Sequence, residues 1–331
     1  MQERKTGRTT GRLVMAGVSA LAVAALGLAA NQAVADDYPS KTIEVVTHAG
    51  AGGGTDVNSR MMMLRARRTL KTDMVVVNKR GGNGALAMSY FQSRPDDGYT
   101  IMTFTNGHAL TMALGKSDLK VEDMRPIARG TNDPQVLMVN CKTSPYKSSD
   151  EFLAGVRETK LKFGTTNIGG LDHITAFVFA KRAGAVQPTI VPFKGGGELA
   201  TQLVAGSIDV GVLNLSEASA QIEAGDICPM VVLHTERMKP IPDVKTAREM
   251  GVDVVFATVR GFVTHAGVDD AKAETLEKGM LKAMGHSIYQ AYLTTSGLDN
   301  TSVLGSDEWG AQIKQLLQDL IPAAKEMGLV K

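Results

Sequence analysis

Gly50-Ala51-Gly52-Gly53-Gly54-Thr55-Asp56 places four glycines in five positions, directly after an apolar run and before an amphipathic one. A strand–loop–helix junction of this kind offers free backbone N–H groups and a helix dipole to an anion. The glycines let the ligand come close to the backbone, and Asp56 is placed either to cap the helix or to touch the ligand. Gly81-Gly82-Asn83-Gly84 repeats the design, as does Gly164-Thr165-Thr166-Asn167-Ile168-Gly169-Gly170. A purely structural turn is the alternative for each loop taken alone. Nucleotide binding fits poorly, because Thr55 stands at the third glycine position of G-x-G-x-x-G and no G-K-[ST] follows.

Enzyme signatures are missing. The histidines at 48, 108, 173, 234, 265 and 286 form no H-x-x-x-H pair, no serine lies in G-x-S-x-G, and no cluster has metal-ligand spacing. No cofactor is called for. His48, His108 and His173 fall at predicted strand or helix ends and are candidates to line a cleft; His234, His265 and His286 are assigned to structure.

Short apolar runs alternating with amphipathic ones position these loops. Strands are predicted at Ile43–Thr47, Met74–Asn78 and Tyr99–Thr105, with helices over about Asp56–Leu70 and Ala85–Arg94. After Pro126 the rhythm restarts, with strands at Val136–Asn140, Leu161–Thr165, Thr189–Val191, Ile208–Leu213 and Met230–His234. Helices near Asp172–Ala183, Gly197–Ala205 and Ser216–Ala224 lie between them. From Ala271 the chain reads as helical, over Lys272–Ser287 and Asp307–Met327. Two α/β units and a helical tail are expected, with the three glycine loops at strand C-terminal ends converging on one cleft. Met61-Met62-Met63-Leu64 belongs on the core face of the first helix, and Arg65, Arg67 and Arg68 mostly on its solvated face.

Composition narrows the function. Lys and Arg number 36 against 34 Asp and Glu, with 2 Cys. Near-neutral charge without a basic stripe argues against nucleic-acid binding, and two cysteines cannot form a four-thiolate zinc site. Residues 1–12 carry Arg4, Lys5, Arg8 and Arg12, followed by an apolar run to Ala30 and then Ala33-Val34-Ala35. This is a cleavable secretory signal peptide, residues 1–35, with an uncleaved anchor as the alternative. The remainder holds 32 basic against 33 acidic residues, and its size predicts about two domains of ~150 residues. In an oxidising compartment Cys141 and Cys228 could bridge, contributing roughly 4 kcal/mol by the loop-entropy argument; the sequence leaves pairing open.

Taken in order, the motifs resemble the Bug family, the TctC-like extracytoplasmic solute receptors of tripartite tricarboxylate transporters. The resemblance begins at Tyr38-Pro39-Ser40-Lys41 and runs through Gly52-Gly53-Gly54-Thr55-Asp56, Val75-Val76-Val77-Asn78-Lys79-Arg80-Gly81 and Asp97-Gly98-Tyr99-Thr100. Val191-Pro192-Phe193-Lys194-Gly195, Gly206-Ser207-Ile208-Asp209 and Pro242-Asp243-Val244 with Gly251 complete it. It implies an α/β, two-domain periplasmic-binding-protein fold of the type II kind, with the ligand cleft between domains. Domain 1 would comprise 36–133 and 259–331, so that the C-terminal helices pack on it, and domain 2 would comprise 134–258.

The function so implied is capture of a small organic carboxylate in the periplasm and its delivery to integral-membrane permease subunits. A monomer is expected. A receptor presenting its ligand to a sensor kinase is the alternative, and a periplasmic enzyme on an anionic substrate a more distant one. Carried over residue by residue, the ligand set in domain 1 is Gly50, Ala51, Gly53, Thr55, Asp56, Gly82, Asn83, Gly84, Thr105 and Asn106. In domain 2 it is Thr165, Thr166, Asn167, Gly169, Gly170 and His173, with Lys194, Gly195 and Asn214 at the rim. Lys194 reads equally as a solvated charge or a domain-locking ion pair.

Three departures from the family pattern bear on specificity. Thr47-His48 replaces a Pro-Phe pair. Leu171-Asp172 replaces a small hydroxylated pair, and Asp172 is either a helix cap or a group preferring an amine or hydroxyl. Arg260 replaces an aromatic residue, and either clamps a carboxylate or forms a surface or hinge ion pair.

Overall fold

β-Branched and large apolar residues form three short strands, Ile43–Thr47 (β1), Met74–Asn78 (β2) and Thr100–Thr105 (β3), which pair in parallel in the order β2-β1-β3. Each runs into a helix: Gly54–Thr69 (α1), Ala85–Gln92 (α2) and Asn106–Ala113 (α3). Parallel pairing puts the loops at Thr47, Asn78 and Thr105 on one edge. The third helix is unforeseen by periodicity; Thr105 starts it with a reciprocal capping box to His108.

This computed structural model describes residues 1–2, 38–166 and 168–329. The expected signal peptide and Asn167 lie outside the described residues. Of the segment Met1–Ser40, only Met1, Gln2 and Tyr38–Ser40 are described; Lys41–Lys331 forms a separate compact unit.

Two long strands join the halves of the sheet. Met124–Asn140 (β4) pairs antiparallel with Ala257–His265 (β9) up to Pro134, and then with Val210–Asn214 (β7) and Ile227–Val232 (β8). β9 also lies antiparallel to β3. Lys162–Thr165 (β5) pairs in parallel with Thr189–Pro192 (β6) and β7, so the order is β2-β1-β3-β9-β4-β7-β5-β6, with β8 on β4. Ser149–Glu158 (α4), Leu171–Ala183 (α5), Gly196–Val204 (α6) and Ser219–Glu223 (α7) connect the second set of strands. The expected strand from Val136 is thus only the second half of β4, and β9 is a strand the periodicity did not mark. Cys141, just after β4, is bonded to Cys228 of β8 with their Cα atoms 5.1 Å apart.

The C-terminal residues form Asp270–Met284 (α8), Ser287–Thr295 (α9) and Ser306–Glu326 (α10). α8 packs on α1, where Thr69 Oγ1 donates to the Gly279 carbonyl at 2.8 Å. α10 packs on α3 and β4 through Trp309, Ile313 and Leu320, all buried. It also reaches α5, through an exposed ion pair of Lys181 with Glu326. Trp309 needs Gly261 beneath it: a Cβ there would lie 2.3 Å from the indole. Met62 and Met63 are buried in the core as the reading of the first helix anticipates, but Met61 is only partly buried and Leu64 is exposed, because the helix turns it away from the sheet.

Candidate functional site

The C-terminal edges of the two parallel strand sets meet along the paired strands β4 and β9, and two asparagines hold them there. Asn106, just after β3, donates from Nδ2 to the Ala257 carbonyl at 3.1 Å, and its Oδ1 accepts from Val259 N at 2.8 Å. Asn214, ending β7, donates to the carbonyls of Asp133 and Pro134 at 2.8 and 3.1 Å and accepts from Thr258 Oγ1 at 3.0 Å. Asp133 and Thr258 are themselves paired across the two strands. Both asparagines were ligand candidates; the structure uses them as struts that bring the loops together.

The loop before α1 is braced in the same manner. Asp56 accepts from Gly52 N at 2.9 Å, Asn78 Nδ2 at 2.9 Å and Arg60 Nε at 2.8 Å. These bonds, led by Arg60, hold its carboxyl down at about 2. With its oxygens so occupied, Asp56 shapes the loop. Gly53 N donates to Gly50 O at 3.0 Å, and α1 opens on Gly53 without a side-chain cap. The first N–H groups of α1 are therefore positioned for an anion. Thr55 is buried, Ala51 is exposed, and Gly50 lies beside the Arg80 side chain.

Two histidines fill the space behind this loop. The rings of His48 and His108 meet edge to face with centroids 4.4 Å apart. His108 Nδ1 accepts from Thr105 N at 3.2 Å, which leaves its proton on Nε2, a buried atom with no partner among the described residues. His48 Nδ1 is likewise buried and unpartnered. Burial, reinforced by Arg260, pushes His48 down to about 4, and burial lowers His108 also, so both are neutral at pH 7. Gly84, at φ +102°, makes room: a Cβ there would lie 2.7 Å from the His108 ring. Beside it Gly82 and Asn83 are exposed, and the Asn83 carbonyl accepts from Thr111 Oγ1 at 3.0 Å.

In the second strand set, Asp172 is committed internally. One carboxylate oxygen accepts from Gln135 Nε2, the other from Thr166 N at 3.0 Å and Thr166 Oγ1 at 2.5 Å. Gln135 in turn accepts from Thr175. Burial raises the Asp172 carboxyl, and these donors oppose it. His173 Nδ1 accepts from Gly169 N at 2.9 Å and closes the loop that ends at Gly170, the N-cap residue of α5. Thr165 Oγ1 is buried without a partner among the described residues. Lys194 is exposed, its N–H donating to Glu198 at 3.1 Å, while Gly195 is the N-cap residue of α6. Next to it Gly196 packs on the Glu217 carboxyl, which accepts from Asn214 N at 2.9 Å.

Arg260 lies at the centre. Its Nη2 is 3.2 Å from where a Cβ on Gly54 would sit, so the guanidinium and the opening of α1 face the same space. Nη1 is 3.4 Å from Thr131 Oγ1 and 3.9 Å from Asp133 Oδ2, while Nε is buried and unpartnered. Asp133 Oδ1 is also buried and unpartnered, and burial raises its carboxyl to about 7 against the pull of Arg260. A cavity of about 170 Å³ opens between them, bounded also by Gly54, Thr131, Ser216 and Tyr292. Thr131, Asp133 as a side chain, Ser216, Glu217 and Tyr292 were not picked out from sequence. They carry no motif, and they come together only because β4, β7 and α9 meet here.

A larger groove of about 760 Å³ lies between α5 and α10. It contains Asn132, which follows Thr131 and precedes Asp133 and so points to the opposite face of β4. Two polar pairs that line it are engaged with each other: Asn132 with His234 at 3.2 Å, and Lys181 with Glu326 at 2.7 Å. His265 stacks on Phe91 and His286 starts α9, in keeping with structural roles. Among the described residues no group of three or more His, Cys, Asp or Glu is arranged to hold a metal, and no helix is long and apolar enough to cross a membrane.

Residues 59–327 match the family described as "Tripartite tricarboxylate transporter family receptor". A UPF0065 protein of Bordetella pertussis is 26% identical over 318 residues, 93% of this chain and 96% of that one. Among solved structures, a TctC solute binding protein from Polaromonas, without ligand, superimposes with TM-score 0.80 at 24% identity, covering 87% of this chain and 99% of the other. An R. palustris protein with adipate gives TM-score 0.73 at 24% identity over 88% and 98% of the two chains.

Proposed function

Because this chain belongs to the tripartite tricarboxylate transporter receptor family, we propose that it captures a small organic acid between the two strand edges and delivers it to integral-membrane permease subunits. It is a solute-binding receptor of the TctC kind. In our reading residues 36–133 with 259–331 form one lobe and 134–258 the other, and β4 and β9 are the hinge between them. The adipate held by the R. palustris relative supports a carboxylate as the ligand class. We further read the protein as working without chemistry on its ligand.

One observation carries this reading. Arg260 and Asp133, on the paired strands β9 and β4, His48 within electrostatic reach of Arg260, and His108 packed on His48 each keep a buried polar atom without a partner among the described residues. Buried polar groups are nearly always satisfied, and leaving one unpaired costs about 1–3 kcal/mol. Several in one place mark where a polar ligand completes the bonding. The donors among them, His108 Nε2 and Arg260 Nε, together with the N–H groups opening α1, suit a carboxylate. A ligand touching both lobes binds the closed arrangement better and raises its population.

The test is a thermal-shift screen of the mature chain, unfolded and refolded to strip bound ligand, against mono-, di- and tricarboxylates. Mass action predicts a rise of about 2.7 kcal/mol in stability at one hundred times Kd. Small-angle scattering with the binding acid should show a smaller molecule. No shift with any acid would overturn the reading.

A further inference from the structure

We propose that the ligand is a small 2-amino carboxylate, its carboxylate taken by Arg260 and the opening of α1 and its ammonium by Asp133. This inference rests on the receptor reading above and specifies the chemistry of that site.

The argument starts from the distance between Arg260 and Asp133. At 3.9 Å they are near enough to attract and too far apart to hydrogen-bond. Neither group satisfies the other, and each keeps a buried atom, Arg260 Nε and Asp133 Oδ1, with no partner among the described residues. Buried charges held this way are stable only when further hydrogen bonds complete them. Asp133 is 3% exposed, so bulk water does not supply those bonds freely.

The two groups face one cavity of about 170 Å³. Pockets for drug-sized ligands run to about 300–1,000 Å³, so this one suits only a small molecule or the head of a longer one. One wall is cationic, from Arg260 with the uncapped start of α1; another is the carboxyl of Asp133. Glu217, which lies within electrostatic reach of Asp133 and Arg260, adds a second acid to that side. A plain dicarboxylate would place its charge against Asp133 at one end. A molecule bearing a carboxylate and an ammonium on adjacent atoms matches both walls at once, with charge-assisted hydrogen bonds to each. Ser216 and Tyr292 add hydroxyl groups at the rim of the same cavity.

Calorimetric titration of the refolded chain against matched sets tests this: alanine, lactate and propionate, then aspartate, malate and succinate. The amino member of at least one set should bind about tenfold or more tighter than its unsubstituted partner. Asp133→Asn should bring that ratio towards one by weakening the amino member and tightening the unsubstituted one, and Arg260→Met should weaken every member. If the unsubstituted or hydroxy acid binds as well as the amino acid in the wild-type chain, the zwitterion inference falls and the receptor reading stands. If Asp133→Asn leaves the ratio unchanged, the ammonium assignment falls. If no member of any set binds, both readings fall.

Discussion

His48 and His108 are packed edge to face, their ring centroids 4.4 Å apart, with both imidazoles held neutral by burial. His108 backs the turn at Gly84 and His48 packs on it, a floor of neutral rings, and charging His48 would place a cation within electrostatic reach of Arg260 in a buried space.

Acid therefore works against this floor. His48 has a folded value of about 4, below the ordinary 6.5 of histidine, so its contribution is present above pH 6.5 and is lost as pH falls towards 4. Between pH 7 and 5 the loss is about 2 kcal/mol by linkage. Asp133, raised to about 7, acts in the opposite sense: it favours the folded state increasingly as pH falls through 7. Comparing variants separates the two. Urea melts at pH 7 and 5 should show His48→Gln relatively better tolerated at pH 5, and Asp133→Asn relatively worse tolerated there. Parallel pH trends for the two variants would refute the assignment.

Gly261→Ala should be strongly destabilising although β9 accepts alanine elsewhere. The added Cβ would meet Trp309, which is fully buried and donates from Nε1 to Phe262 O at 3.2 Å. Overpacking of this kind costs about 1–3 kcal/mol. Combining it with Trp309→Phe should recover part of the loss in thermal melts; strict additivity of the two substitutions would argue against the contact.

The bond between Cys141 and Cys228 closes a span of 87 positions and ties β8 to the end of β4. Replacing both with serine should cost roughly 4 kcal/mol, because the unfolded chain regains the freedom that a long closed loop removes. Reductant should lower the wild-type midpoint towards that of the double variant and leave the variant itself unmoved.

Lys181 and Glu326 join α5 to α10 at 2.7 Å, with side chains 56% and 47% exposed. An ion pair so open to water contributes about 0–1 kcal/mol. Glu326→Gln should change stability by less than about 0.5 kcal/mol at moderate salt. A larger effect would show that the contact between these helices depends on this pair.

The early strands and their glycine loops were legible because their signals are local. Val45 and Val46 against Gly50–Gly54 mark a strand end and a helix start within a dozen residues. Some local signals were passed over: Ser148 accepts from Glu151 N at 3.2 Å and Glu151 from Lys147 N at 2.8 Å, a capping pattern that announces α4. β9 was hidden for another reason. Arg260 and Gly261 read as a loop in isolation, and only pairing with β3 and β4 on its two sides makes that stretch a strand.

The residues alone determined the α/β class, the glycine loops at strand ends and the resemblance to solute receptors, since each depends on periodicity or on motifs of a few consecutive positions. Tertiary structure decided the division of labour within the site. Asp56, Asn106, Asp172 and Asn214, all candidates for a ligand, turn inward as braces because Asn78, Val259, Gln135 and Asp133 meet them from other strands. Arg260 and Asp133 are 127 positions apart in the chain and reach 3.9 Å only through the antiparallel pairing of β4 and β9. Their unmet hydrogen bonds arise from where the backbone places them, and no local pattern of residue types encodes that placement.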